Sequence, residues 1–474
     1  MVIQAWGLYY MKLTQRIFQK EELSRYITKD QKFEKTLTSK DLIAMGIGAV
    51  IGTGIFILPG TVAALHSGPA IIISFIMAAI VCSTSAMCYA ELSSALPIAG
   101  SAYSFGNVIF GEIIGWFLGW ALILEYMLAV AAVSTGWASY FNAFLRGFGI
   151  EVPKALNGPF DPANGTYFNL VAILIVLFIS WLLSKGVRTS MAINRIMVLV
   201  KIAVIVLFLI VGCFYVKPSN WTPFMPFGFK GVSIGASLVF FAYLGFDVVS
   251  ASAAEVKDPK KNMPRGIIGT LVICTILYIL VSVVLTGIVS YTKLNVGDPV
   301  SYALHLVNQD WVAGIISLGA LAGMFTMMVT MIFSSSRLIY SIGRDGLLPK
   351  FLGKIDAKTH TPKHSMAIVT IIIALTGGFI SLDQLTNLVN IGTLIAFMFV
   401  SLGVLPLRKR QDINNNGGFK VPLFPILPLI SVLLCVYMLS QLSISTWIAS
   451  GIWFLIGAII YFTYGIKHSQ LNKD

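Results

Sequence analysis

Charge is scarce in this sequence: Asp, Glu, Lys and Arg make up 11% of its 474 residues, whereas soluble domains average about 25%. Hydrophobic residues make up 57% of the chain, and the mean hydropathy is +0.84. Apolar runs of about 20 residues, long enough to cross a bilayer core of about 30 Å, recur along the whole length. These features exclude an ordinary soluble globular protein and predict an integral membrane protein.

Cysteine pairs and catalytic motifs are also missing. The five cysteines lie in or beside apolar runs, without a CxxC pair or a neighbouring His, so we interpret them as small buried apolar side chains. No HExxH, GxSG or GxxxxGK[ST] pattern occurs, and no second deep aspartate completes a protease dyad. An intramembrane enzyme and an ATP-driven pump are therefore disfavoured. We expect no enzyme activity, no metal and no cofactor.

Apolar runs of the length of a membrane-spanning helix occur about twelve times. They lie at 41–64, 69–96, 112–143, 168–184, 194–216, 233–254, 266–290, 311–342, 366–381, 384–406, 424–444 and 447–466. No stretch between them is long enough to form a separate soluble domain. The predicted fold class is an all-α membrane protein.

The net charge of +13 resides in the segments between these runs. If the N-terminus is cytoplasmic, 27 Lys and Arg residues lie on the cytoplasmic side and five lie outside. This asymmetry is the one that the positive-inside rule describes. The basic excess therefore indicates topology and not a nucleic-acid partner. We expect a multi-pass protein of the cytoplasmic membrane, embedded in the lipid bilayer, with both termini in the cytoplasm.

Three ionisable residues lie deep in apolar runs: Lys201, Glu125 and Asp247. A charge at the bilayer centre costs about 2.5–3.5 kcal/mol on insertion scales, so such residues usually pair or line a pathway. Each has a simpler alternative. Lys201 can snorkel towards the interface, Glu125 can be a paired or protonated structural carboxyl, and Asp247 can cap a helix that restarts after Gly245.

The first apolar run contains an unusual density of glycine. Five glycines occur in GIGAVIGTGIFILPG, from Gly46 to Gly60, and Pro59 follows the apolar FIL triplet. Close helix packing through the Gly48–Gly52 GxxxG step is one explanation. The glycines occupy several faces of the helix, however, and each costs a helix interior about 1 kcal/mol relative to alanine. We therefore predict that this helix is broken.

The sixth run has its own interruption in AYLGFD, residues 242–247. If runs 1–5 and 6–10 are two halves, both breaks fall in the first helix of a half, which is the pattern of an inverted-repeat transporter with a midplane site. The predicted division is a basic N-terminal segment 1–40, a first repeat 41–216, a second repeat 217–406, and 407–474 with two further helices and a cytoplasmic tail.

A broken helix supplies both halves of an amino-acid site. Backbone N–H groups are free at the start of one half-helix, and carbonyls are free at the end of the other. The N–H groups bind a carboxylate with help from the helix dipole, and the carbonyls bind an ammonium group. Glycine suits the position because it has no Cβ to hold a ligand away from the backbone.

Three segments of the sequence resemble the amino acid–polyamine–organocation superfamily, and specifically its cationic amino acid transporter family. They are GIGAVIGTGIFILPG, FFAYLGFDVVSASAAEVKDPKKNMPRGI and SRLIYSIGRDGLLP, and the resemblance extends from about Thr38 to the end of the chain. It implies a leucine-transporter-like 5+5 inverted repeat with broken helices 1 and 6, followed by two C-terminal helices. The implied mechanism is alternating access.

The resemblance also implies roles for particular residues. The substrate carboxylate is expected to meet the amides of Thr53 and Gly54. The ammonium is expected to meet the carbonyls of Val50, Phe241, Ala242 and Leu244, with Phe241 or its neighbours as an aromatic gate. Lys201 matches a fifth-helix lysine that replaces the sodium ion of related carriers, so its ammonium is expected to bond carbonyls near Gly48 and Ile51.

Glu125 matches a third-helix glutamate of bacterial family members, which are similar in using protons. We therefore interpret Glu125 as a candidate for proton coupling, since a carboxyl group removed from water binds its proton more readily. Lys201 is either a fixed cation or a second titrating group. The expected partners are an amino acid and protons, and the sequence does not indicate whether a small accessory membrane subunit binds.

The favoured interpretation is a secondary active transporter that imports small or branched neutral L-amino acids with protons. No carboxylate is evident to meet a cationic substrate side chain, and the eighth run offers Thr326, Met327 and Thr330 to a side-chain pocket. A cationic amino acid transporter and an ion-independent exchanger remain as alternatives. An intramembrane enzyme is the alternative from a different class, and a channel fits a substrate-sized broken-helix site poorly.

Overall fold

The computed structural model describes residues 16–472, apart from 17, 31–34, 99, 186–190, 357–358, 360 and 414–416. Part of the basic segment 1–40 therefore lies outside the described residues. Throughout the described part the regular structure is helical, and it contains three isolated β-bridges but no β-strand.

The long α-helices coincide with the apolar runs, and shorter helices lie between them. They are α1 Leu23–Asp30, α2 Ser39–Val50, α3 Thr53–Phe56, α4 Leu58–Val62, α5 Ile71–Ala95, α6 Ser101–Ile109, α7 Glu112–Arg146, α8 Leu170–Ser184, α9 Met191–Cys213, α10 Gly228–Val239, α11 Phe246–Ala251, α12 Pro259–Ile288, α13 Pro299–His305, α14 Asp310–Arg344, α15 Lys363–Phe379, α16 Leu382–Leu407, α17 Ile426–Ser440, α18 Ile444–Ile460 and α19 Ile466–His468.

Among the residues that the structure describes, eight helical segments are long and apolar enough to cross a membrane, and α8, α15 and α17 are shorter apolar helices. The prediction of an all-helical membrane protein is confirmed, while the count of twelve spans stays a prediction. Large apolar side chains lie outermost on α9, where Leu199 is 67% exposed and Ile210 is 58% exposed. An exposed apolar surface of this kind is stable against lipid and not against water.

The centre of the bundle is formed by α7 and α14, which have 35 residues each and pack against each other. Helices α5 and α12 pack together as a second pair, and α12 also packs against α2. Glycine allows some of these approaches: a Cβ on Gly319 of α14 would lie 2.4 Å from a methyl group of Val204 in α9.

Both predicted interruptions fall within otherwise helical segments. Helix α2 ends at Val50, and α3 begins at Thr53 after Ile51 and Gly52, which have non-helical backbone angles. The sixth run passes from α10 into a 3₁₀ turn at Phe240–Tyr243, and α11 begins after Leu244 and Gly245. Gly245 has φ +110°, a left-handed conformation that favours glycine.

The segments flanking the two breaks are tied together. Leu37, which precedes α2, pairs with Val256, which follows α11, in a parallel β-bridge. Thr38 and Asp41 form a capping box at the start of α2, which satisfies two otherwise free N–H groups. Asp41 also accepts a hydrogen bond of 2.5 Å from Arg195 of α9, so α2 is anchored at its beginning.

Helices α5 and α16 are joined by a buried ion pair. The Glu91 carboxylate accepts two hydrogen bonds of 2.8 Å from the Arg408 guanidinium and a third of 2.6 Å from the backbone N–H of Val421. Arg408 also lies over the ring of Phe424 at 4.1 Å. Bidentate charge-assisted bonds of this kind are about twice as strong as neutral ones, and they fix the loop after α16.

Candidate binding site at the two helix breaks

The two helix breaks are in direct contact at the centre of the bundle. A Cβ on Gly54 would lie 2.6 Å from the Cα of Ala242, and a Cβ on Gly245 would lie 3.0 Å from the carbonyl group of Ala49. Real Cβ atoms do not approach as close as 2.6 Å, and Gly245 also has φ +110°, so both positions favour glycine where the two backbones meet. The residues expected at the site from both breaks are buried.

Each break leaves backbone groups without a helical partner. Thr53 and Gly54 are the first two residues of α3, and the first N–H groups of a helix have no partner within it. Val50 lies at the end of α2, where the carbonyls are similarly free. On the sixth run, the Phe241 carbonyl accepts the Leu244 N–H at 3.2 Å. The N–H groups at the start of α3 and the carbonyls at the end of α2 therefore lie at the same break.

Tyr278 of α12 connects the two breaks. Its hydroxyl lies 2.5 Å from the Ala242 carbonyl oxygen and 3.3 Å from the Val50 carbonyl oxygen. These are two of the carbonyls that the sequence analysis assigned to a substrate ammonium. Sequence reasoning missed Tyr278, although a tyrosine inside an apolar run signals a buried hydroxyl that needs a hydrogen-bond partner.

The Lys201 ammonium lies against the first break and not at the membrane surface. It is fully buried and donates hydrogen bonds to the carbonyls of Gly48 at 2.7 Å and Ile51 at 2.9 Å. Its aliphatic chain runs past Gly323 of α14, whose added Cβ would lie 3.2 Å away. Snorkelling is therefore wrong for this lysine, and the cation joins α9 to the end of α2.

Glu125 lies with Asp247 rather than with Lys201. Both of its carboxyl oxygens are buried and have no hydrogen-bond partner among the described residues, and its charge is close enough to interact with that of Asp247. Asp247 is in the first turn of α11, where the helix dipole favours a negative charge. It accepts a hydrogen bond of 2.6 Å from Tyr126. Because Tyr126 directly follows Glu125 in the chain and bonds to Asp247, the two buried carboxyl groups lie in the same region, one on α7 and one on α11.

The three residues expected in a side-chain pocket lie on α14 and differ in their contacts. A Cβ on Gly52 would lie 2.3 Å from the Met327 sulfur, so Met327 covers the first break. The hydroxyl of Thr326 donates to the Gly323 carbonyl at 2.9 Å, and that of Thr330 donates to the Thr326 carbonyl at 3.0 Å. Both hydroxyls therefore bond to the backbone of their own helix.

Comparison with known proteins identifies the family. A sequence profile described as amino acid permease matches residues 37–464. The chain belongs to the amino acid permease family. This permease is 50% identical to the "Methylthioribose transporter" of Bacillus subtilis (strain 168) over 446 residues, covering 94% of this chain and 96% of the relative.

Other relatives of this permease are also transporters. The "Branched-chain amino acid permease BcaP" of Bacillus subtilis (strain 168) is 45% identical over 463 residues, covering 96% of this chain and 99% of the relative. The "Cationic amino acid transporter 4, vacuolar" of Arabidopsis thaliana is 29% identical over 558 residues, with 93% of each chain covered. The resemblance to the amino acid–polyamine–organocation superfamily is confirmed, and these relatives indicate membrane transport and not enzyme activity.

A test of the contact between the breaks is to replace Gly54 with Ala. Its Cβ would lie 2.6 Å from the Ala242 backbone, and such overpacking typically costs about 1–3 kcal/mol. We expect a loss of affinity for the transported substrate of about 5- to 150-fold, since about 1.4 kcal/mol corresponds to a factor of ten. Equilibrium binding to purified permease measures this.

Gly314→Ala is the matched control, because an added Cβ there has no atom within 4 Å. It should bind substrate as the wild type does. Wild-type affinity in Gly54→Ala would show that the two backbones do not need to be in contact for binding.

Proposed function

We propose that this permease imports small or branched neutral L-amino acids together with protons, by alternating access across the cytoplasmic membrane. The observation that carries this proposal is the contact between two helix breaks. It places the first N–H groups of α3, at Thr53 and Gly54, close to the carbonyls of Val50 and Ala242, which accept the Tyr278 hydroxyl and no helical N–H of the described residues. An α-amino acid has a carboxylate and an ammonium group that match these donors and acceptors.

The proposed contacts are those implied by the family resemblance. The N–H groups of Thr53 and Gly54 bind the carboxylate. The ammonium binds carbonyls among those of Val50, Phe241, Ala242 and Leu244. In the structure, the Tyr278 hydroxyl bonds to the carbonyls of Val50 and Ala242. When substrate binds, its ammonium group replaces this hydroxyl as the donor, so the carbonyls are paired in both states. This exchange avoids the cost of a buried unsatisfied acceptor, about 1–3 kcal/mol.

The chemistry around the first break supports a neutral substrate side chain. Met327 lies against Gly52, and the Thr326 and Thr330 hydroxyls are bonded to their own helix. A thioether is apolar and adaptable, so it packs well against aliphatic side chains. A relative named as a branched-chain amino acid permease, 45% identical to this chain, supports the same substrate class.

A second candidate substrate comes from the relative named as a methylthioribose transporter, which is 50% identical to this chain. A neutral methylthio sugar carries neither the carboxylate nor the ammonium that the two breaks match, but its methylthio group suits an apolar pocket. Cationic amino acids are a third class, since a relative that is 29% identical bears that name. The proposed site offers them no carboxylate of its own.

We also propose that residues 41–216 and 217–406 form two inverted repeats. Three correspondences support this division. Each proposed repeat begins with a broken helix, the segments flanking the two breaks pair at Leu37 and Val256, and the breaks touch at the centre. In this arrangement α17 and α18 lie outside the repeats and pack against α16.

The substrate proposal is tested by uptake into proteoliposomes. Wild-type permease should accumulate labelled leucine, valine or alanine when the lumen is alkaline relative to the outside, and should do so equally in sodium and choline buffers. Unlabelled methylthioribose and arginine are added as competitors. Inhibition by methylthioribose alone, with no amino-acid uptake, would exclude the amino-acid proposal. Uptake that ignores the pH gradient but needs an internal amino acid would indicate an exchanger.

The cytoplasmic placement of the termini is tested by cysteine labelling. In separate variants, exposed Lys350 and Asn164 are each replaced with Cys, and cells and inverted vesicles are treated with a membrane-impermeant maleimide. Since basic residues favour the cytoplasmic side, Lys350→Cys should react only in inverted vesicles and Asn164→Cys only in cells. The reverse pattern would invert the proposed topology.

A further inference from the structure

The N-terminal and C-terminal segments meet at one end of the bundle, which we call the terminal face. The Gln19 amide donates to the Leu471 carbonyl at 3.4 Å, and the Gln19 carbonyl accepts the N–H of Glu112 at 3.0 Å. The Gln470 N–H donates to the Asp345 carbonyl at 3.0 Å. Both chain segments are thus anchored to the beginning of α7 and the end of α14.

Glu112 is the centre of these contacts. Its carboxylate, 2% exposed, accepts hydrogen bonds from the Tyr461 hydroxyl at 3.0 Å and from the Ser469 hydroxyl. Tyr461 and Ser469 are themselves buried. A buried carboxylate needs such donors, and hydrogen bonds to a charged group are stronger than those between neutral groups. The C-terminal segment is therefore held by a specific pair of bonds.

The contact between α14 and the C-terminal segment is close. A Cβ on Gly346 would lie 2.1 Å from the His468 carbonyl oxygen. Gly346 also has φ +87°, so glycine is required there on both counts. The Tyr103 hydroxyl of α6 donates to the Asp345 carboxylate at 3.0 Å, which joins α6 to the same point.

Helix α6 connects these contacts to the broken sixth run. The Ser101 hydroxyl, at the start of α6, lies 2.8 Å from that of Ser250 in α11. At the other end of α6, the Asn107 side-chain amide donates to the Tyr26 hydroxyl at 3.0 Å. The backbone carbonyl of Asn107 accepts the Glu21 N–H at 3.1 Å. A connected set of hydrogen bonds therefore runs from α11 through α6 to the described segments near the two ends of the chain.

We propose that residues 18–26 and 461–472 form a latch that keeps the terminal face closed, and that Glu112 positions this latch. This inference rests on the proposed alternating-access mechanism, in which α2 and α11 move apart from α7 and α14 when the terminal face opens. Because α6, α11 and both chain segments belong to one hydrogen-bonded set, opening requires that some of these bonds break. Weakening the latch then favours the state that is open at the terminal face.

The test combines Tyr461→Phe and Ser469→Ala, which remove both donors to Glu112 and keep the rest of the segment. The reporter is Ala253→Cys, because Ala253 is fully buried just after α11. A membrane-impermeant maleimide is added on the side of the terminal face, without substrate, and the rate at which it labels this cysteine is measured. The labelling rate of the same protein without this cysteine is subtracted as background. We expect labelling at least about tenfold faster than with the intact latch, which corresponds to about 1.4 kcal/mol, since hydrogen bonds to a charged group are stronger than those between neutral groups.

Thr463→Val is the matched control, because the Thr463 hydroxyl donates to the Ile459 carbonyl, four residues earlier in the same segment, and does not bond to Glu112. It should leave labelling unchanged. General unfolding would also expose Cys435, a native thiol buried between α5 and α17, so labelling of Cys435 must stay at its wild-type rate. An unchanged Ala253→Cys rate, or an equal rise at Cys435, would overturn the latch. Failure of amino-acid uptake with a normal labelling response would instead count against the proposed substrate.

Discussion

Lys201→Ala is expected to reduce substrate uptake by reconstituted permease to less than about a tenth of the wild-type rate. The ammonium donates to the carbonyls of Gly48 and Ile51, and both acceptors would be left buried and unpaired. Each such group costs about 1–3 kcal/mol, and about 1.4 kcal/mol is a factor of ten. The carbonyls flank the break of the first run, so their loss of a donor changes the proposed site directly.

Two further variants separate this role from general damage. Lys201→Met retains an aliphatic side chain beside Gly323 but removes the positive charge. Its uptake of substrate should fall as far as that of Lys201→Ala. Lys217→Ala removes an exposed lysine just after α9 and should transport normally. The amount of folded protein is checked by gel filtration in detergent. Near-normal uptake by Lys201→Met would show that the cation is not needed at the break.

Glu125→Gln is expected to abolish accumulation driven by a pH gradient while preserving exchange of substrate across the membrane. Gln has the shape of a protonated carboxyl group and cannot release a proton. Both oxygens of Glu125 are buried without a hydrogen-bond partner among the described residues, so the neutral side chain fits without breaking a bond. A permease with this permanently neutral side chain should still bind and exchange substrate. It cannot move a proton together with the substrate, because Gln does not release one.

The informative measurement is the ratio of pH-driven uptake to exchange in the same proteoliposomes. This ratio should fall at least about tenfold in Glu125→Gln, the loss expected when a coupled proton step is removed. Glu151→Gln, at an exposed position, is the control and should keep the wild-type ratio. Equal loss of uptake and exchange would indicate a structural carboxyl, and full pH-driven accumulation would exclude Glu125 as the coupling group.

The breaks were predictable because their causes are local. Glycine weakens a helix wherever it occurs, and the two glycine-containing interruptions lie at Ile51–Gly52 and Leu244–Gly245, within the predicted segments. Lys201 was also conspicuous, since a lysine inside an apolar run is costly in lipid. Its hydrogen-bond partners were expected only through the family resemblance. Composition alone does not indicate which carbonyls, more than 100 residues away, face a given side chain.

Tyr278 shows what local reasoning misses. Its hydroxyl lies near carbonyls that are 36 and 228 residues away in sequence. A tyrosine within ICTILYILV indicates a hydroxyl that needs a hydrogen-bond partner, but the segment does not indicate which carbonyls accept it. The pairing of Glu125 with Asp247 has the same origin. These residues belong to α7 and α11, and their proximity depends on how helices far apart in the chain pack together.

The amino-acid sequence is enough to predict the membrane setting, the positions of the weak points in two helices and the small set of ionisable groups that lipid does not tolerate. Each of these follows from the properties of short segments: length, hydropathy, glycine content and charge. Helix packing is needed to show that the two weak points touch, that Tyr278 and Lys201 donate to carbonyls at the breaks, and that residues 18–26 and 461–472 meet beside Glu112. Hydrogen bonds and close backbone contacts act over about 3 Å, so they depend on helix packing and not on distance along the chain.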